Sequence, residues 1–177
     1  MSQQNSQTIA TYDQSVEAYT NSDMTRSRKG FYNDWIDDVF RTVPKDARIL
    51  EIGTAQGRDA KYLATKGYHV QTTDVSDGFI EYLKDHGFSP LTLNIIEQVP
   101  DGEWDVVYAS AVFLHFTPTD FASALGNIVH ALTAGGTLAF TVIQGDGELT
   151  KDEKYGLPRY FKYYQPDELR DMLAQAG

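Results

Sequence analysis

Apolar residues recur along this chain with two different periods, and the period switches repeatedly. Over residues 26–43, Phe31, Trp35, Ile36, Val39 and Phe40 fall at helical spacing, and Pro44 just beyond them marks a stop. "ARILEIG" (47–53) is a short apolar run of the kind that forms a buried strand. After Gly57 the pattern Ala60, Leu63, Ala64 returns to helical spacing and ends at Gly67, a residue suited to the left-handed turn that closes a helix. "YHVQTTD" (68–74) predicts the next strand. "SDGFIEYLKDHG" (76–87) predicts the next helix, with Ser76 as its N-cap and Gly87 as its terminator.

The alternation continues with strands at "SPLTLNI" (89–95) and "WDVVYAS" (104–110), then an amphipathic helix "TPTDFASALGNIVHAL" (117–132) opened by Thr-Pro, and an apolar strand "GGTLAFTVI" (135–143). Strands that alternate with helices pair in parallel through right-handed crossovers, so the pattern predicts a doubly wound α/β sheet flanked by helices. Residues 144–164, rich in glycine, charge and tyrosine, carry no clear period. A segment of that length reads as a lid or mobile loop. "QPDELRDMLAQAG" (165–177) closes the chain as a helix. A helix ending there implies either a five-strand sheet or a shortened version of a longer domain. The division expected is a helical cap over 1–45 and a sheet domain over 46–177.

Charge narrows the partners. Fifteen basic residues against twenty-five acidic ones give a net charge of −10, the wrong sign for a protein that neutralises phosphate backbones, so nucleic acid is not an expected partner. "TRSRK" (25–29) is a local exception that reads equally as a solvated helix face. Cysteine is absent, which removes disulfides, thiolate metal sites and a cysteine nucleophile. The histidines and carboxylates show no clustered ligand set, so no metal is expected. Neither a membrane-length apolar run nor a leader-like N-terminus is present, and a soluble cytoplasmic protein is the default reading.

The candidate chemistry starts at "EIGTAQG" (51–57), where an acid and two glycines follow the first predicted strand. In an open parallel sheet ligands gather at the carboxyl ends of the strands, and glycines there let the main chain approach them. A dinucleotide fingerprint needs glycine at 53, 55 and 58, but the chain has Gly53, Ala55 and Arg58, which disfavours a pyrophosphate. Asp74 ends the second strand, where a carboxylate suits a vicinal diol; its other reading is an acid at a helix N-terminus, favoured by the dipole.

With these come "LNIIEQVP" (93–100), "WDVVYASAVFLHF" (104–116) and "HALTAGGTLAFTV" (130–142). In this order the motifs resemble those of the class I S-adenosylmethionine-dependent methyltransferases, a Rossmann-like family. The resemblance implies a cofactor, S-adenosyl-L-methionine, leaving as S-adenosyl-L-homocysteine, and contacts from Tyr19, Glu51, Gly53, Thr54, Ala55, Gly57, Asp59, Asp74, Val75, Asn94, Ile95 and Ser110. Asp74 would take the ribose diol, while Asn94 and the Ile95 N–H would meet the adenine. Ala55 replaces the family's second glycine, and Asn94 its frequent aspartate. Glu51 either orients loop amides or meets the cofactor's ammonium. "TYDQSVEAY" (11–19) resembles the family's N-terminal cap helix, with Tyr12 and Tyr19 closing over the cofactor. Relatives also add a C-terminal strand hairpin that is absent here.

His115 is the candidate general base, with a wall residue as its other reading. His69 and His130 read as packing or surface residues. Tyr12, Tyr19, Tyr160, Tyr163 and Tyr164 either build an aromatic wall around a sulfonium or simply pack. Arg58 and Arg159 either hold a carboxylate or lie exposed. The function expected is methyl transfer to a small-molecule acceptor. A non-catalytic cofactor-binding domain and a nicotinamide-dependent oxidoreductase stand as alternatives. An open sheet edge admits a homodimer.

Overall fold

The computed structural model describes residues 1–22, 29–151 and 155–177. In chain order the first elements are α1 (Gln3–Gln14), α2 (Val16–Thr20), α3 (Lys29–Val39), β1 (Ile49–Glu51), α4 (Arg58–Thr65), β2 (Val70–Asp74), α5 (Asp77–Asp85), β3 (Leu91–Thr92) and β4 (Trp104–Ala109). A 3-10 turn at Phe113–His115 follows, then α6 (Pro118–Ala131), β5 (Leu132–Phe140), β6 (Ile143–Gln144), β7 (Glu148–Lys151), β8 (Arg159–Tyr164) and α7 (Pro166–Ala176). Strands β1 to β5 form one parallel sheet in the order β3-β2-β1-β4-β5. This is the doubly wound architecture expected from the alternation. Most of "TRSRK" and the first turn predicted for α3 lie outside the described residues.

The two central strands, β1 and β4, are mostly apolar because both faces are covered. Ile49, Val106 and Tyr108 face one way, packing with Ile36 and Phe40 around α3 and Leu63 of α4. Leu50, Val107 and Ala109 face the other, packing with Phe121, Leu125 and Ile128 of α6. Helix ends follow their side chains. Ser76 accepts the Phe79 N–H at the start of α5, and Thr117 accepts the Asp120 N–H at the start of α6. Gly67 (φ +85°) and Gly87 (φ +83°) adopt the left-handed conformation just after α4 and α5.

Three expectations change. β3 shrinks to two exposed residues, since only Leu91 and Thr92 pair, with Thr73 and Asp74. β5 begins at Leu132, opposite Trp104, and a register shift around Gly135 separates that pair from Val106↔Thr137. The described residues of 144–164 form strands where the sequence showed no clear period. With Ile143 they contribute a second sheet in the order β6-β8-β7, in which β8 runs parallel to β6 and antiparallel to β7. β8 reads RYFKYY, and its aromatic residues favour strands. No helix among the described residues is long and apolar enough to cross a membrane.

Candidate active site

A cavity of about 700 Å³ opens at the carboxyl ends of β1, β2 and β4, with residues of α1, α2 and β8 forming its other walls. Its size is ordinary for a small-molecule or cofactor pocket, roughly 300–1,000 Å³. Of the residues singled out in the sequence, Tyr19, Gly53, Ala55, Asp74, Val75, Asn94, Ile95, Ser110 and His115 all line it. Glu51, Thr54 and Asp59 line a smaller adjoining hollow, together with Arg58 and shared residues Tyr19, Gly53, Ala55 and Ser110. Gly57 lines neither. It opens α4 with φ +77°, and a Cβ there would sit 2.6 Å from the Phe88 ring, so packing accounts for that glycine.

The glycine loop is built by its neighbours. Gly53 has φ +67°, and an added Cβ would meet Val112 Cγ2 at 2.6 Å. Ala55 holds φ +49°, a left-handed conformation in an L-residue, and its N–H donates to Asp74 Oδ2 at 2.9 Å. Asp74 Oδ1 accepts the Ser76 N–H at 3.0 Å. These bonds aim the carboxylate and join the β1 loop to the end of β2, while leaving lone pairs for a ligand. Burial pushes the Asp74 pKa up, and the N–H groups of Ser76, Ala55 and Val75 oppose that rise.

Glu51 is 3% exposed and accepts the Thr54 hydroxyl at 3.0 Å. Burial, then the nearby Asp59 carboxylate, hold its pKa well above the usual carboxylate range. Asp59 itself is ionically satisfied, accepting Arg58 Nε at 2.5 Å and Nη2 at 2.7 Å, and the Tyr108 hydroxyl at 3.1 Å. A bidentate pair of this kind fixes the first turn of α4. Arg58 also donates to Ser110 Oγ at 3.3 Å.

Asn94 lines the cavity, but its side chain is engaged locally. Oδ1 accepts the Ile96 N–H at 3.2 Å and Nδ2 donates to Glu97 Oε2 at 3.1 Å. The turn function of this asparagine is therefore present.

His115 is 7% exposed, and both of its ring nitrogens are occupied. Nδ1 lies 2.7 Å from the Tyr160 carbonyl, which can only accept, so the hydrogen-bond network places the proton on Nδ1. Nε2 then accepts the Tyr12 hydroxyl at 2.8 Å. Tyr12 Oη in turn accepts Arg159 Nη1 at 3.3 Å. Burial, opposed by the Tyr160 bond and aided by the Arg159 charge, lowers the His115 pKa to about 4, so the ring is neutral near pH 7. Burial raises the Tyr12 pKa.

Several cavity residues escaped the sequence reading. Asn5, Thr8 and Ile9 come from α1, which begins well before "TYDQSVEAY". Tyr155 and Phe161 come from the segment read as a lid. The polar spacing of α1 hid its role: Asn5, Thr8 and Thr11 are all at most 3% exposed and form a polar inner stripe. Of the five tyrosines, Tyr12 and Tyr19 reach the cavity, and Tyr160, Tyr163 and Tyr164 do not line it.

A family model described as a methyltransferase domain matches residues 24–177. No curated protein matches the sequence. Among solved structures, a complex of DhpI with SAH superposes with a TM-score of 0.81, at 18% identity over 98% of this chain and 87% of that one. CcbJ methyltransferase from Streptomyces caelestis gives 0.65 at 19% identity, over 82% of this chain and 78% of that one. Glycopeptide N-methyltransferase MtfA, complexed with S-adenosyl-L-methionine, gives 0.68 at 12% identity over 82% of each chain. At these identities the structural likeness is one of fold, and the family match carries the assignment, displacing the nicotinamide alternative. The chain belongs to the methyltransferase-domain family and is a class I S-adenosylmethionine-dependent methyltransferase.

Proposed function

We propose that the large cavity holds the adenosyl part of S-adenosylmethionine, that the hollow beside the glycine loop holds its amino-acid part, and that a small-molecule acceptor occupies the space left beside them. The observation that carries this reading is the Asp74 carboxylate, aimed into the cavity by the Ala55 and Ser76 N–H groups. A buried carboxylate with spare lone pairs fits two ribose hydroxyls. Asn94 and Ile95 wall the same cavity as an adenine would require, and Glu51 lies where an ammonium would restore its ionisation.

When bound, the cofactor supplies a methyl already activated by a sulfonium. The chain's own work is to align and desolvate the reacting groups. Tyr12, Tyr19, Phe79 and Tyr155 form an aromatic cluster along the cavity wall, with Tyr12–Tyr19, Tyr12–Tyr155 and Tyr19–Phe79 edge to face. His115 Nε2 accepts the Tyr12 hydroxyl hydrogen bond, so any proton taken by His115 would pass through the Tyr12 hydroxyl. That makes Tyr12 and His115 a positioned relay for an acceptor that must lose a proton.

Calorimetric titration with S-adenosylhomocysteine tests the cofactor assignment. Wild type should bind, and Asp74→Ala should weaken binding tenfold or more, about 1.4 kcal/mol. Asp74→Asn, which keeps one acceptor oxygen, should fall between them. Equal affinity in all three proteins sinks the assignment.

A further inference from the structure

We infer that the acceptor carries an oxyanion group, carboxylate or phosphoryl, and that Arg159 receives it inside the cavity. This rests on the methyl-transfer reading for what the ligand is, while the site itself is read from Arg159 alone. Arg159 is 8% exposed and lines the cavity. Among the described residues its guanidinium donates one hydrogen bond, the 3.3 Å bond to Tyr12 Oη, and Nε has no partner at all. Among the same residues no carboxylate pairs with it, although the chain as a whole carries ten more negative charges than positive ones. A buried cation without a counter-ion is costly to fold and is rare unless a ligand completes it.

The guanidinium is nevertheless held in place. Its carbon lies 4.7 Å from the Tyr155 ring centroid and 5.0 Å from that of Phe161, a cation–π setting that steadies the fork without satisfying its donors. The backbone on both sides is tied to α1: Thr11 Oγ1 donates to the Pro158 carbonyl at 2.6 Å, and the Tyr160 N–H donates to Thr8 Oγ1 at 2.9 Å. His115 is neutral and offers no compensating charge. The planar fork of an arginine, with several N–H donors unused, matches the geometry of a carboxylate or phosphoryl group.

The cofactor's own carboxylate is the competing occupant, and the placement of the two arginines argues against it. Arg58 lines the hollow beside the glycine loop and does not line the large cavity. Arg159 lines the large cavity and not that hollow. The two cations serve different ends of the site.

The test titrates the protein with inorganic phosphate, with propionate and with neutral propionamide, each in the presence and absence of saturating S-adenosylhomocysteine. Wild type should bind at least one anion saturably and propionamide at least tenfold more weakly; the better anion distinguishes phosphoryl from carboxylate acceptors. Arg159→Gln should lose the anion at least tenfold, Arg159→Lys should recover part of it, and both should bind S-adenosylhomocysteine within about threefold of wild type. The unliganded Arg159→Gln protein should melt no lower than wild type, because an unpaired buried charge has been removed. The inference is overturned if wild type binds neither anion, if propionamide binds as well, or if Arg159→Gln weakens S-adenosylhomocysteine instead. It is also overturned if Arg159→Gln and Arg159→Met both melt well below wild type with anion binding unchanged. Failure of wild type to bind S-adenosylhomocysteine would instead sink the cofactor assignment, and the anion titrations without it would still decide Arg159.

Discussion

Two residues of the glycine loop show how backbone conformation and ligand access are separate demands. Ala55 occupies the left-handed region, which costs an L-residue roughly 1–2 kcal/mol, whereas glycine accepts it freely. Ala55→Gly should therefore raise stability by about 0.5–1 kcal/mol in urea unfolding, with the Asp74 bond retained. Gly57 is the opposite case. Its left-handed φ and the Phe88 ring 2.6 Å from a Cβ both oppose a side chain. Gly57→Ala should cost about 2–4 kcal/mol, read from the same unfolding curves. No more than a tenth of that loss should appear as weaker cofactor binding per refolded molecule, since Gly57 lines neither cavity nor hollow. At this scale the sequence was only half informative. The glycines at 53 and 57 were visible, but that one faces Val112 beside the cavity and the other faces Phe88 depends on contacts tens of residues away.

At the scale of elements, the pairing of α1 with β8 does most to shape the site. Thr8 and Thr11 lie on the inner face of α1 and bond the β8 backbone around Arg159. Asp120 fastens the start of α1 to α6 by accepting the Ser2 N–H at 3.0 Å and the Ser2 hydroxyl. Asp13 fastens its end to α5, accepting the Ser76 hydroxyl at 2.5 Å and the Gly78 N–H at 3.2 Å. Thr8→Val leaves the Tyr160 N–H buried without its acceptor, at a cost of about 1–3 kcal/mol. Hydrogen exchange should then quicken in Gln3–Gln14 and Arg159–Tyr164 while β1 and β4 stay protected. Uniform quickening across all of them would show that α1 and β8 are not a separable unit.

For the whole molecule, buried titratable groups pull stability in opposite directions with pH. His115 has its pKa lowered to about 4. Its stabilising contribution is fully present above the unfolded value near 6.5 and is lost as pH falls toward 4, at about 1.4 kcal/mol per pH unit. Glu51 and Asp74 have raised pKa values, so their native-state protonation favours the fold at low pH and that contribution is lost as pH rises through their folded values. His115→Gln should flatten the stability loss between about pH 6.5 and 4 while leaving the carboxylate contribution. An unchanged pH profile would place His115 outside the acid response. An ammonium reaching Glu51 should also expel its proton. S-adenosylhomocysteine binding should thus show an enthalpy that depends on the ionisation heat of the buffer, and Glu51→Gln should abolish that dependence.

Local chemistry was enough to read the order of strands and helices, their parallel pairing and the ends of α4 and α5, because period, caps such as Ser76 and glycines such as Gly67 act within a few residues. The same locality exposed the loop acid, the two glycines and Asp74. What the linear chain left open was settled by groups far apart in it. The sheet formed by β6, β8 and β7 arose where glycine, charge and tyrosine interrupted any period, and its strands are held by long-range pairing. Burial keeps His115 neutral, and its tautomer is set by Tyr12 and Tyr160, which lie 103 and 45 residues away. That Arg159 has no carboxylate partner among the described residues is likewise a property of its surroundings. An arginine in a sequence carries a charge, and only folding decides whether water, a carboxylate or a ligand will answer it.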